Sequence, residues 1–253
     1  MKLGMNQPYF FPYLGFYQLV RAVDRFIIYD NLNYIQYGWI NRNRFLVVGG
    51  TPTYFNAVTA ESSSYKKIRD IKLSPRTNWR KKLLNSCFLN YKQRPFFDET
   101  YAVIEPIILH QTDSLCELAT KSIVEVSRHL QIATEIIENP TYEELENDLQ
   151  KNNLTEVFPT IKLKDPERKV FRVIAVCRMM EADQFVNATG GQALYDKAEF
   201  AANGIELSFL QSRDEPYEQT NEGEYYPGLS IIDVLMNCGR AGTIRRLDNY
   251  ELI

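Results

Sequence analysis

Histidine is scarce in this chain: His110 and His129 are the two in 253 residues. His110 falls near a helix end and His129 within an amphipathic helical pattern. Neither has a serine, cysteine or carboxylate spacing that announces a nucleophile triad. Cysteine is also sparse, with Cys87, Cys116, Cys177 and Cys238 forming no CxxC pair and no short spacing with histidine. That argues against a zinc site, and no metal is expected. Cys87, Cys116 and Cys177 lie in apolar helical patterns, where free thiols are commonly buried. No apolar run reaches the roughly eighteen residues of a membrane span. Lys2 is followed by only three residues before Asn6 and Gln7, which leaves no secretory leader pattern, so the cytoplasm is the expected compartment. A net charge of -3 argues against a general nucleic-acid coat.

What remains is an ordinary soluble composition, 45% apolar and 24% charged. The length is enough to bury a substantial core. Tyrosine is abundant, 16 residues against two tryptophans, and its apolar body with a polar tip suits a cleft as well as a core edge. The least ordinary stretch is the first 44 residues. Gln7-Pro8-Tyr9-Phe10-Phe11-Pro12-Tyr13-Leu14-Gly15 is followed by Gly38-Trp39-Ile40-Asn41-Arg42-Asn43-Arg44. Alternating amides and guanidiniums crowd many donors into a small space, and burying them without partners is unfavourable.

Periodicity predicts a short strand over 2–6, a helix over Tyr13–Val23 and a buried strand over Arg25–Tyr29. This is a βαβ unit with a right-handed crossover. Phe45–Val48 and Tyr54–Val58, around Gly49-Gly50-Thr51-Pro52, read as a hairpin. A strand near Ile68–Leu73 precedes a helix capped by Ser74 with Pro75 at its first position, running to about Asn90. Helices over Pro95–Leu109 and Ser114–Leu130 complete a helical block at about 74–131. A strand at 133–138, a polar connection at 139–165 and a helix from Pro166 to about Ala182 follow. Then come a strand at Gln184–Asn187, a helix from Gly191 to Phe200, a strand at Ile205–Leu210 and a helix at Leu229–Cys238. The tail, 241–253, reads as a last short helix. The fold class is α/β with a mainly parallel sheet and a helical insert, read as one domain over 1–253.

Ligands in such sheets bind beyond the carboxyl ends of strands. Three motifs fall there: the Gln7–Gly15 loop, Asp30–Asn33 and Asn187–Gly191, which holds the Thr189-Gly190-Gly191 turn. A loop leading into a helix offers free amides to an anion, and Gly15 permits close backbone approach. The alternative is a rigid aromatic plug. In an extended segment Arg42 and Arg44 point one way and Asn41 and Asn43 the other. Arginine forks onto phosphate or carboxylate, and tryptophan stacks on planar rings. The alternative is a solvated strand edge. Thr189-Gly190-Gly191 reads as an anion cradle or as plain turn chemistry, without the spacing of a nucleotide fingerprint. Asp30 suits a general base, a metal ligand or a cap. Ser230 and Asp233 read as caps of the last helix. No motif names a cofactor.

Taken together these segments resemble the WbqC family. The resemblance extends through Phe26-Ile27-Ile28-Tyr29-Asp30, Asn90-Tyr91 with Pro95-Phe96-Phe97, Gly190-Gly191 with Tyr195 and Phe200, and Gly204-Ile205. It ends in Leu229-Ser230-Ile231-Ile232-Asp233 with Asn237 and Gly239. It implies glycyl or acyl transfer to a nucleotide-activated amino sugar in surface-polysaccharide (O-antigen) biosynthesis. The partner would be that nucleotide-linked sugar or another anionic small molecule. In that role Arg42 and Arg44 hold a diphosphate and Trp39 or Tyr13 stacks on a ring. Gln7, Asn41 and Asn43 orient polar groups, and Asp30 deprotonates the amine. Family members commonly carry a second acid, a glutamine and a basic pair where this chain has Asn31, Asn33 and Gln36-Tyr37. Those departures keep a noncatalytic sugar-nucleotide-binding protein in view. The opening strand–loop–helix–strand also resembles HIGH-type nucleotidyltransferases, which adds an ATP-dependent enzyme of that kind as a third expectation.

Overall fold

The computed structural model describes residues 1–138, 165–213, 215–219 and 225–253, with the backbone alone for 165–169. Strands β1 (Lys2–Asn6) and β2 (Arg25–Ile28) flank helix α1 (Leu14–Arg21) and pair in parallel, from Leu3 opposite Arg25 to Asn6 opposite Ile28. This is the βαβ opening expected from the apolar run at 26–29. Strands β5 (Glu135–Ile137), β6 (Gln184–Ala188), β7 (Glu206–Ser212) and β8 (Tyr250–Leu252) complete a six-stranded sheet in the order β5-β2-β1-β6-β7-β8. All pairs are parallel except β7 with β8. The fold is α/β.

Both faces of the sheet are covered, which is why its strands read as apolar runs rather than alternations. Leu3, Met5, Ile27, Phe185, Leu207 and Phe209 pack under Val170, Phe171, Ile174 and Cys177 of α5 (Asp165–Met179) and Phe200 of α6 (Lys197–Ala201). Phe26, Ile28, Val186 and Leu210 face the other way, against Phe16, Leu19 and Val20 of α1. Gly4 sits under that second layer, where a side chain would crowd Phe26 and Val23.

A third core joins α2 (Trp79–Tyr91), α3 (Phe97–Ile108), α4 (Leu115–His129) and α7 (Ile231–Leu247). The hairpin β3 (Arg42–Leu46) and β4 (Pro52–Asn56) closes it, contributing Phe45 and Phe55. Ser114 caps α4 as expected, its Oγ accepting from the Glu117 N–H at 3.2 Å.

Several boundaries differ from expectation. Helix α2 begins at Trp79 rather than Pro75. The Leu73 and Ser74 amides are committed to the Asp113 and Val58 carbonyls at 2.7 Å each, which keeps the chain extended there. Ile68–Asp70 is a 3₁₀ turn instead of a strand. Between Gly191 and Asp196 the chain turns before α6, which Asp196 caps. The tail forms β8, not a helix, and the last helix runs nine residues beyond Cys238 across a break at Gly239. The polar connection at 139–165 lies outside the described residues up to 164.

Candidate functional site

The strand order reverses between β1 and β6: the chain steps outward through β2 and β5 on one side and through β7 on the other. Such a switch point leaves a crevice beyond the carboxyl ends of the two central strands. The pairing of β1 with β6 ends at Gly4 opposite Val186, and beyond it the two chains leave the same end of the sheet through Asn6-Gln7 and Ala188-Thr189. The Tyr29 N–H bonds the Asn6 carbonyl at 2.8 Å, which brings the end of β2 alongside. Gln7, Asp30 and Thr189-Gly190-Gly191 therefore end three adjacent strands.

Local chemistry shapes that edge. Asn6 and Asn187 each turn their side-chain oxygen back onto the next backbone N–H, at 2.8 Å. Asn187 belongs to the motif expected at the end of β6, whereas Asn6 was not among the expected residues, although an asparagine near the end of each central strand is a readable signal. The Gln7 side-chain amide has no partner among the described residues. Thr189–Gly191 forms a 3₁₀ turn in which Gly190 has open space around it, while a side chain on Gly191 would collide with Asn187. Gly15 serves a different end from the one expected: the Tyr13 ring and Ser212 occupy the space a side chain would need. Burial raises the Tyr13 phenol and, with Tyr13 beside it, pushes Tyr9 up to about 12.

Asp30 is buried at the foot of this edge. Desolvation raises its carboxyl above the usual range, opposed by the Arg69 guanidinium and by a hydrogen bond from the Cys116 thiol at 3.7 Å. A raised carboxyl is the better proton acceptor near neutrality. The same burial, with Asp30 beside it, pushes the Cys116 thiol up to about 12, so it stays protonated.

The Gln7–Gly15 loop is anchored by its backbone. The Phe10 N–H bonds the Ile40 carbonyl at 2.9 Å, and the Phe11 N–H bonds Ser122 Oγ at 3.0 Å. The Phe11 carbonyl accepts from the Asn43 amide at 2.7 Å and from Ser230 Oγ at 2.8 Å. Asn41 is occupied too: its oxygen accepts from the Tyr34 hydroxyl at 2.7 Å and its amide donates to the Ala57 carbonyl at 3.0 Å. Asn43 thus ties the loop to the hairpin, while Asn41 ties Tyr34 to the end of β4.

Arg42 and Arg44 project from the other face of β3, as strand alternation requires. There Trp39 and Tyr54 lie 6.0 Å apart with rings tilted by 33°, both substantially exposed. The Arg42 guanidinium stands 4.6 Å from the Tyr54 centroid and donates to the Gly38 carbonyl at 3.0 Å and to the Tyr37 carbonyl. Arg44 lies 5.5 Å from the Trp39 centroid, with a buried Nε that lacks a partner. Neither arginine pairs with a carboxylate among the described residues. Tyr54 joins this cluster unforeseen; its signal was the antiparallel register that sets it across from Arg44.

The candidate residues therefore form two groups, one at the strand ends and one on the outer hairpin face. No hydrogen bond, ion pair or ring contact among the described residues links them directly; the Tyr9–Pro12 loop lies between. Asp233, expected as a cap, is instead fully buried and accepts from the Tyr91 and Tyr217 hydroxyls at 2.5 and 2.7 Å. A cavity of about 730 Å³ opens elsewhere, beside Gly242 and Arg245 on α7, and is lined by none of the candidate site residues. Among the described residues no three His, Cys, Asp or Glu side chains gather to hold a metal, and no helix is long and apolar enough to cross a membrane.

Comparison with known proteins places the chain in a family. The uncharacterized protein Rv1507c of Mycobacterium tuberculosis (strain ATCC 25618 / H37Rv) is 26% identical over 242 residues, covering 94% of each chain. No solved structure matches. The model of the WbqC-like protein family matches residues 7–244, from the switch-point glutamine to the final helix, and the chain belongs to that family.

Proposed function

We propose that the protein transfers a glycyl or similar acyl group to the amine of a nucleotide-linked amino sugar in surface-polysaccharide assembly. The observation that carries this reading is the strand reversal, at which the segments following β1 and β6, Gln7 and Thr189-Gly190-Gly191, leave the same end of the sheet, with buried Asp30 following the neighbouring strand β2. In the reaction the sugar amine attacks the acyl carbon of an activated donor. The new C–N bond forms as the donor's leaving group departs with its electron pair. Asp30 takes the proton that the nitrogen sheds, a task favoured by a carboxyl raised through burial. Gln7 and the Thr189 turn hold polar groups of the sugar. Arg42 and Arg44, without carboxylate partners, receive the diphosphate, and Trp39 with Tyr54 stacks on the base.

A second reading, a sugar-nucleotide-binding protein without turnover, draws support from the loop before β3. There Gln36 donates to the Ser62 carbonyl at 2.8 Å and the Tyr37 carbonyl accepts from Arg42, so both residues serve the shape of the arginine face. Titration calorimetry with UDP-glucosamine, followed by mass spectrometry of reactions with activated glycyl donors, separates the two. Transferase activity predicts an acylated sugar product that Asp30→Asn abolishes while binding persists. Arg42→Ala or Arg44→Ala should weaken binding about tenfold or more, the loss of a charge-assisted hydrogen bond. Tight binding with no product favours the second reading. Pyrophosphate release dependent on ATP and a free acid points to a nucleotidyltransferase-like enzyme. Binding unchanged in both arginine variants refutes the anion site.

A further inference from the structure

The outer edge of β3, the one not paired with β4, is covered by the first turn of α7 rather than by another strand. The Ser230 N–H, at the cap of α7, donates to the Arg44 carbonyl at 2.8 Å. Two residues along the same edge, the Leu46 N–H donates to the Tyr91 hydroxyl at 3.2 Å. A carbonyl at one position and an N–H two positions later lie on the same side of a strand, so both bonds grip one edge. Tyr91 in turn donates to Asp233 Oδ1 at 2.5 Å, and Asp233 stands one turn into α7 from Ser230.

Asp233 is thus the far end of a two-point clamp. Its other oxygen accepts from Tyr217 at 2.7 Å and from the Asn237 amide at 3.3 Å. Arg94 is the cation nearest in effect. Burial raises the Asp233 carboxyl, opposed by the hydrogen bonds from Tyr91 and Tyr217, and an acceptor suits this place because each of these neighbours is a donor. The phenol of Tyr91 does double work, accepting from β3 and donating to Asp233, which fixes its orientation. Tyr217 touches the same carboxylate and makes no bond to β3 among the described residues.

We infer that Asp233, acting through Tyr91, is a positioning residue that sets the height of β3 and thereby holds Arg44 over Trp39. The inference rests on the reading of Arg44 as an anion-binding residue, and it also has a consequence independent of any ligand. Trp79 is buried whereas Trp39 is exposed, so iodide quenching of tryptophan fluorescence reports on Trp39 and the guanidiniums beside it.

The decisive comparison is Tyr91→Phe against Tyr217→Phe, each of which removes one phenol from Asp233. Tyr91→Phe should alter iodide quenching and weaken binding of uridine diphosphate at least about threefold, a modest coupling energy. Tyr217→Phe should leave both at the wild-type level. In the Arg44→Ala background Tyr91→Phe should cause no further loss of affinity. Asp233→Asn should follow Tyr91→Phe; if it does not fold, the phenol pair carries the test. Equal effects of the two phenol variants on quenching, or no effect of Tyr91→Phe, overturn the inference. If Arg44→Ala leaves uridine diphosphate binding unchanged, the anion site fails, and the quenching comparison alone upholds or overturns the clamp.

Discussion

Asn43 donates a 2.7 Å hydrogen bond to the carbonyl of Phe11, a residue held at φ +47°. Left-handed backbone at a bulky residue costs about 1–3 kcal/mol and persists only where the surroundings over-determine it. Here they do: Ser122 takes the Phe11 N–H, Ser230 supplies a second donor to its carbonyl, and its ring is fully buried. Asn43→Ala leaves the site one donor short and should destabilise the protein by about 1–3 kcal/mol. Asn43→Asp should be worse, because a carboxylate turned toward a carbonyl repels it. Urea denaturation checks both, with the midpoint falling and the slope unchanged. A wild-type midpoint in Asn43→Asp would show that this bond does not hold the loop.

That relationship also explains which parts of the site were legible in the sequence. The βαβ opening was readable because Phe26–Tyr29 is a short apolar run after an amphipathic helix. Alternation correctly divided Arg42 and Arg44 from Asn43. What alternation could not reveal was that the asparagine side bonds the Pro-aromatic loop while the arginine side stacks on Trp39 and Tyr54. Tyr54 entered through hairpin register, and Asp233 through the hydrogen bond from Tyr91, 142 residues away. The first depends on the exact register of a local hairpin, and the second is a long-range fact with no local pattern. The start of α2 was misplaced for the same reason: Ser74-Pro75 is good capping chemistry, overridden by backbone bonds to residues 58 and 113.

Asp30 should reveal itself through pH. Its folded carboxyl is raised by burial, so ionising it is less favourable in the native state than in the unfolded chain. The resulting stability is fully present below the unfolded value, about 3.9, and is lost as pH rises through the higher folded value. Asp30→Asn cannot ionise, so it should gain on the wild type as pH rises through that window. Thermal melts from pH 3 to pH 8 follow the difference. A constant difference across the range would mean that Asp30 titrates like an exposed carboxylate.

The cysteines should divide sharply in reactivity. Burial pushes the Cys87, Cys116 and Cys177 thiols up to about 12, which leaves almost no thiolate near pH 8. Cys238 is only partly buried. Thiolate is the reacting form, so brief iodoacetamide treatment of the native protein should label Cys238 well ahead of the others. Peptide mass spectrometry reads the order, and unfolding in guanidinium should make all four reactive. Early labelling of Cys116 in the native protein would refute the closed environment described around Asp30.

The break in α7 yields the last test. Gly239 has φ 64° and ψ 179°, a conformation essentially reserved for glycine, and a Cβ built there would overlap the Phe96 ring. Gly239→Ala therefore meets two obstacles. Backbone strain contributes about 1–3 kcal/mol, and overpacking against Phe96 about as much again. The two are separable, because removing the ring relieves the clash and leaves the backbone strain. Gly239→Ala should accordingly be less destabilising in a Phe96→Ala background than in the wild type, by roughly 1–3 kcal/mol. Chemical denaturation of the four proteins measures that coupling. Additive losses would mean that Phe96 yields freely and that backbone conformation alone demands glycine at the break.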